Sequence, residues 1–215
     1  MNAIDIAQFK ALATAGAIII DTRTPEIFCD GFIEDSLSIP FNEGFISTLE
    51  ELVTAEQKIL LVTDAEQTNA VLKALKDSGN TSVEGYLTGG FEAWQNAGNK
   101  IDMLITVDAD EFAIDYKFDE FYLIDVRPKE EFEKEHAEDA ENIVLHDLEQ
   151  ILIDFETTDS YYVYGSTLQE AVTAGSVFRK IGFTRVRVVA ADFETVKATG
   201  IPWFKQKKKT DSSSK

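Results

Sequence analysis

Cysteine is nearly absent. Cys29 is the one thiol in 215 residues, so no internal disulfide can form and stability must come from a packed core. Histidine is confined to His136 and His146, and no Cys/His group has metal-ligand spacing. The expected metal is none, and the expected cofactor is none. Long apolar runs are missing too: the longest, such as Ala17–Ile20, are four residues long, far short of the roughly 18–20 that a membrane span needs. The opening "MNAIDIAQFK" shows no basic stretch followed by an apolar one, so neither export nor a membrane partner is expected. With one thiol, a reducing cytoplasm is the expected location. Positive charge is scarce, at 20 Lys and Arg against 39 Asp and Glu, a net −19. Such a field excludes a nucleic-acid partner, whose phosphates call for a basic patch, and it repels small anions unless a site overrides it. The one basic cluster, "KQKKKTDSSSK" over 205–215, has no apolar periodicity and reads as a disordered tail.

What is present is a core and a repeat. Apolar residues make up 44% of the chain, enough for one or two domains. "IIIDTRTPEIF" (18–28) returns as "YLIDVRPKEEF" (122–132), and "GGFEAWQNAG" (89–98) returns as "ADFETVKATG" (191–200). Internal similarity at this period implies two domains of ordinary size, 1–99 and 100–204. Within each, short apolar strands alternate with amphipathic segments. Strands are expected near 17–20, 36–39, 58–62 and 82–85, with helices near 44–54, 66–78 and 89–97. The second half repeats the strands near 121–124, 140–144, 160–164 and 185–189, and the helices near 146–154, 168–181 and 191–199. This alternation predicts an α/β fold, each domain a mainly parallel sheet flanked by helices on both faces. Ligands of such sheets bind beyond the carboxyl ends of the strands, which directs attention to the turns after Val62 and Tyr164.

"IIIDTR" through "GYLTGGFEAWQNAG", echoed by "LIDVRPKEEFEKEH", resembles a tandem of rhodanese-like domains of the sulfurtransferase family across roughly residues 4–204. The ending "GYLTGGFEAWQNAG" followed by "IDM" is similar to the rhodanese portion of persulfide dioxygenase fusions with a metallo-β-lactamase fold. The resemblance implies a sulfane sulfur carried as a persulfide on a cysteine just after a central strand. Convergent amides and a helix N-terminus would stabilise that anionic sulfur. Asp64 matches the cysteine position in the first half and Gly165 in the second, and neither can carry sulfur. The corresponding loops are Asp64, Ala65, Glu66, Gln67, Thr68 and Asn69, and Gly165, Ser166, Thr167, Leu168, Gln169 and Glu170. Fifteen steps separate Asp64 from Gly79 and seventeen separate Gly165 from Gly182, so the first loop is expected to be shortened. Glu170 stands where the family often has an anion-binding arginine.

Plain structural roles compete with each candidate. Asp64 with Gln67, Ser166 with Gln169, and Thr167 with Glu170 all have capping-box form. Cys29 sits outside the catalytic loop, as a small helix residue. Asp21 with Arg23, and Asp125 with Arg127, are expected to tie loops together by charge-assisted hydrogen bonds. His136 is matched by Phe32 in the first half, which suggests packing, while His146 has no evident partner. Gly89 and Gly90 form a strand-to-helix turn and Trp94 belongs to the core. The expected protein is catalytically silent, with a binding, docking or oligomerisation role, by self-association or with a sulfur-handling or persulfide-oxidising partner. Its alternatives are a sulfurtransferase using Cys29 or a partner's thiol, and a hydrolase using Asp64.

Overall fold

The computed structural model describes residues 2–206. The first half runs β1 (Ala3–Ile4), α1 (Ile6–Thr14), β2 (Ile18–Asp21), α2 (Pro25–Asp30), β3 (Phe32–Ile33), β4 (Leu37–Ser38) and α3 (Phe45–Leu52). It closes with β5 (Ile59–Val62), α4 (Thr68–Asp77), β6 (Val83–Leu87), α5 (Gly90–Asn96) and β7 (Ile101–Asp102). The second half runs β8 (Ile105–Val107), α6 (Ala109–Phe118), β9 (Tyr122–Asp125), α7 (Lys129–Lys134), β10 (Glu135–Ala137) and β11 (Ala140–Asn142). After them come α8 (Leu148–Ile151), β12 (Tyr161–Tyr164), α9 (Leu168–Lys180), β13 (Val186–Val189), α10 (Phe193–Ala198) and β14 (Trp203–Lys205).

Each half holds a five-stranded parallel sheet, β4-β2-β5-β6-β1 and β11-β9-β12-β13-β8. The two orders are the same when the repeats are overlaid. The central strands β5 (Ile-Leu-Leu-Val) and β12 (Tyr-Tyr-Val-Tyr) are buried at every position, as strands covered by helices on both faces must be. Local chemistry repeats as well: Asp5 caps α1 by accepting the Gln8 amide at 2.8 Å, and Asp108 caps α6 through Glu111 at 2.8 Å.

Several boundaries differ from the sequence expectation. β7 pairs antiparallel with β3, so Ile101 and Asp102 close the first half and the division belongs after 102 rather than at 99/100. Likewise β14 pairs with β10, which places Lys205 in a strand facing Glu135 and outside the expected tail; residues 207–215 of that tail lie outside the described residues. The segment near 146–154 is broken into a 3-10 turn, one α turn and another 3-10 turn, the form a short, tightly packed connection takes.

The halves share one core. Ile20, Phe45 and Leu61 of the first belong to the same apolar cluster as Val163, Ala174 and Phe178 of the second. The edge strand β4 would leave unpaired backbone groups, and α9 covers them. The Ser38 amide donates to Ser176 Oγ at 3.0 Å and Thr173 Oγ1 donates to the Ser38 carbonyl at 2.8 Å. Arg179 fixes the seam from outside by donating twice to the Asp102 carboxylate, both at 2.8 Å.

Candidate functional site: two loops at the sheet's carboxyl edge

The register of the sheets decides which residues correspond. Asp21 of β2 pairs with Val62 of β5, and Asp125 of β9 pairs with Tyr164 of β12. Stepping forward one residue from each partner reaches Thr63 in the first half and Gly165 in the second. The assignment of Asp64 to that position is therefore corrected by one residue: Thr63 is the counterpart of Gly165, and Asp64 lies opposite Ser166. Counted from Thr63, the distance to Gly79 is sixteen steps against seventeen in the second half. The shortening lies in the helix, ten residues in α4 against thirteen in α9.

Asp64 does not cap α4, contrary to expectation. Its side chain is exposed, and its carbonyl accepts the Gln67 and Thr68 amides at 3.0 Å and Thr68 Oγ1 at 3.0 Å. A turn over Ala65, Glu66 and Gln67 postpones the helix to Thr68, so a carboxylate at 64 stands too early to reach its first amides. Asn69 is exposed on the first turn. Thr63 itself is 4% exposed, and its carbonyl lies 3.0 Å from where a Cβ on Gly90 would sit. With φ of +74° and +58°, Gly89 and Gly90 make the close strand-to-helix turn that this approach requires. Trp94, one turn further, is buried and donates Nε1–H to the Lys100 carbonyl at 2.8 Å.

The second loop is closed from within. Thr167 caps α9 by accepting the Glu170 amide at 3.2 Å. Gln169 does not reach back to Ser166; its amide oxygen accepts from Asn42 of the first half. Glu170 turns its carboxylate into the loop, where Oε2 accepts the Ser166 amide at 2.6 Å. A Cβ on Gly165 would lie 2.9 Å from that oxygen and 3.1 Å from Glu170 Cβ and Cγ. The Glu170 side chain thus fills the space that a side chain at 165 would need. Leu168 faces the apolar seam between the halves.

Burial pushes the Glu170 carboxyl above the ordinary range; the Ser166 amide opposes this, and the charges of Asp125 and Glu131 add to it. In the pH interval between the two titrations the folded chain therefore retains a proton that the unfolded chain, titrating near about 4.3, has lost. The associated stability is complete below the unfolded value and is lost as pH rises through the folded one. Glu170→Gln keeps an acceptor for Ser166 without the charge. In thermal unfolding its advantage over the native chain is expected to grow as pH rises above about 4. An advantage independent of pH would contradict the assignment.

Around the loops, the remaining candidates hold structure together. Arg23 donates Nε–H to Asp21 at 2.9 Å and Nη2–H to the Gly31 carbonyl at 2.9 Å. Arg127 repeats this with Asp125, at 3.0 Å, and the Glu135 carbonyl, at 2.7 Å. Burial raises the Asp21 carboxyl, an effect that Arg23 opposes. His136 stacks on Phe132 with centroids 3.8 Å apart, as Phe32 stacks on Phe28 at 4.1 Å, so the two rings fill equivalent places. His146 is exposed, with Glu51 at 3.4 Å and Asp147 at 3.5 Å. Cys29 is buried in α2, and burial, with Asp30 and Glu26 nearby, pushes its thiol up to about 12.

A cleft of about 220 Å³ between the halves leads to the second loop, lined by Thr48 and Glu51 of α3 and by Ser166, Thr167 and Glu170. Its lining contains two carboxylates and no cation. Among the described residues, no group of three or more His, Cys, Asp or Glu side chains could hold a metal, and no helix is long and apolar enough to cross a membrane.

The chain is similar to several known proteins. A Buchnera aphidicola protein described only as uncharacterized is 31% identical over 81 residues, 37% of this chain and 54% of that protein, so the chain spans about half the length of this curated relative. A thiosulfate sulfurtransferase from Pseudomonas aeruginosa covers 96% of this chain and 44% of its own, at 13% identity and a TM-score of 0.42. A rhodanese with anions from E. coli is 26% identical over 40% of this chain and all of its own, with a TM-score of 0.36. The family model described as rhodanese-like domain matches twice, over residues 5–97 and 108–199, one match on each parallel sheet. With both halves matched, the chain belongs to the rhodanese-like sulfurtransferase family as a tandem of two domains.

Proposed function

We propose that this tandem protein carries no sulfur itself and serves a sulfur- or persulfide-handling system by binding, docking or oligomerisation in the cytoplasm. The observation that carries the reading is the state of the second loop. Gly165 offers no nucleophile, and the Glu170 carboxylate already takes the Ser166 amide that an incoming anion would use. In the first loop, Thr63 presents a hydroxyl whose proton is not lost near neutral pH, and Asp64 beside it is a weak nucleophile with a repelling charge. Cys29 supports the same reading: it lies in α2, outside both loops, and a thiol pushed up to about 12 contains little thiolate at neutral pH. The resemblance to persulfide dioxygenase fusions suggests a persulfide-oxidising protein as the partner to test first. Incubation with thiosulfate and cyanide, followed for thiocyanate, is expected to give no turnover above buffer for the native chain or for Cys29→Ser. Turnover by the native chain that disappears in Cys29→Ser would overturn the proposal.

A further inference from the structure

A well-formed cavity lies at the opposite end of the second sheet from the loops. It has a volume of about 420 Å³, within the range of roughly 300–1,000 Å³ common for small-molecule sites. An adjoining pocket of about 380 Å³ shares Glu120, Phe121, Ser160 and Arg185 with it, so the two form one groove around the amino ends of β9, β12 and β13. The apolar wall is aromatic, and part of it is turned to solvent. Phe121 packs on Tyr162 with centroids 4.2 Å apart, while Phe118 is 81% exposed and Ile105 is 57% exposed at the rim. Single exposed apolar residues are ordinary; two at the mouth of a cavity with an aromatic floor are the composition of a binding groove.

Charge in the groove is organised. Arg187 is held in place: its Nη1–H donates to Tyr162 Oη at 2.6 Å, and Asp115, also hydrogen-bonded to that hydroxyl, lies 3.9 Å away. Arg185, two positions earlier, is different. Of the five arginines, Arg23, Arg127, Arg179 and Arg187 are in ion pairs, and among the described residues Arg185 alone has no carboxylate within 4.0 Å. In a chain with nearly twice as many acids as bases, an unpaired guanidinium on the exposed lining of a groove is the informative charge. Asp119 and Glu120, on the same lining, are also without ion pairs among the described residues. Asp159 of the adjoining pocket is a third, so among the described residues the groove offers one unused cation, three unused carboxylates and an aromatic wall.

The geometry points to a site for a free α-amino acid, or a molecule of the same zwitterionic type, with an apolar or aromatic side chain. Its carboxylate pairs with Arg185, its ammonium group with Glu120 or Asp119, and its side chain rests on Phe121 between Phe118 and Ile105. A simple anion would leave the acids facing it unpaired, and a simple amine would meet Arg185. This site is independent of the reading given to the loops.

The test uses isotope-labelled full chain and amide chemical shifts during titration with L-phenylalanine, phenylacetate and phenethylamine. Saturable shifts at Phe121, Ser160 and Arg185 are expected for L-phenylalanine at lower concentration than for either single-charge analogue. Arg185→Gln is expected to weaken that binding roughly fivefold, and Phe118→Ser also to weaken it, both at exposed positions where the fold tolerates change. Equal or tighter binding of phenethylamine would reduce the groove to an acidic surface and overturn the proposal. Absence of saturable shifts at these residues would overturn it as well.

Discussion

Gly165→Cys alone is expected to take up no sulfur from thiosulfate, whereas Gly165→Cys with Glu170→Ala is expected to take up one atom. The contrast follows from the space and the charge around residue 165. A Cβ there lies 2.9 Å from Glu170 Oε2, closer than real Cβ contacts come, and 3.1 Å from its Cβ and Cγ, tighter than most, so the single variant must shift that side chain. Any thiol that fits beside the carboxylate is held protonated by its charge. Removing Glu170 opens the space and frees the Ser166 amide, beside the capped N-terminus of α9. A thiolate can then attack the outer sulfur of thiosulfate: a new S–S bond forms, the original one breaks, and sulfite leaves with the electron pair. Intact mass under native conditions reads the result as the gain of one sulfur, reversed by cyanide. Equal uptake by both variants would show that Glu170 does not close the loop.

Arg127→Ala is expected to be the most damaging single truncation among the candidate residues. Its guanidinium is 2% exposed and bonded to the fully buried Asp125, donates to the Glu135 carbonyl and lies 3.6 Å from the Phe193 ring centre. Truncation leaves a carboxylate buried without its partner, which costs about 3–5 kcal/mol and lowers the melting temperature by roughly 10 °C for a chain of this size. Asp125→Leu combined with Arg127→Met removes both charges and is expected to cost less than Arg127→Ala alone, since no unpaired charge remains. Chemical denaturation of the three proteins decides: a loss under about 1 kcal/mol for Arg127→Ala would mean that the pair is not structural.

How much was legible in the sequence depended on the length scale. The repeat of "IIIDTR" as "YLIDVR" carried the two-domain parallel architecture, because strands buried on both faces are apolar at every position and stand out. β1 and β8 were missed: two- and three-residue edge strands leave almost no pattern. Helices α1 and α6 were missed too, although Asp5 and Asp108 three residues before an amide partner were available as capping signals. The loop assignment erred by one residue. Sequence matching alone places Asp64 at the cysteine position, whereas the counterpart of Gly165 is fixed by the pairing of Asp21 with Val62, a relation between strands offset by 41 residues. The closed second loop was hidden for a similar reason. Position marks Glu170 only as standing where the family often has an arginine, and its return to the Ser166 amide depends on side-chain direction, which spacing leaves open. The lone status of Arg185 needed all the other ion pairs to be known first.

The central claim is that neither loop nor Cys29 holds a sulfane sulfur. The most direct test is the intact mass of the native full chain after exposure to thiosulfate or polysulfide without denaturant. An unchanged mass is predicted. A gain of one sulfur that cyanide removes as thiocyanate would contradict the account, and its loss or persistence in Cys29→Ser would identify the residue responsible.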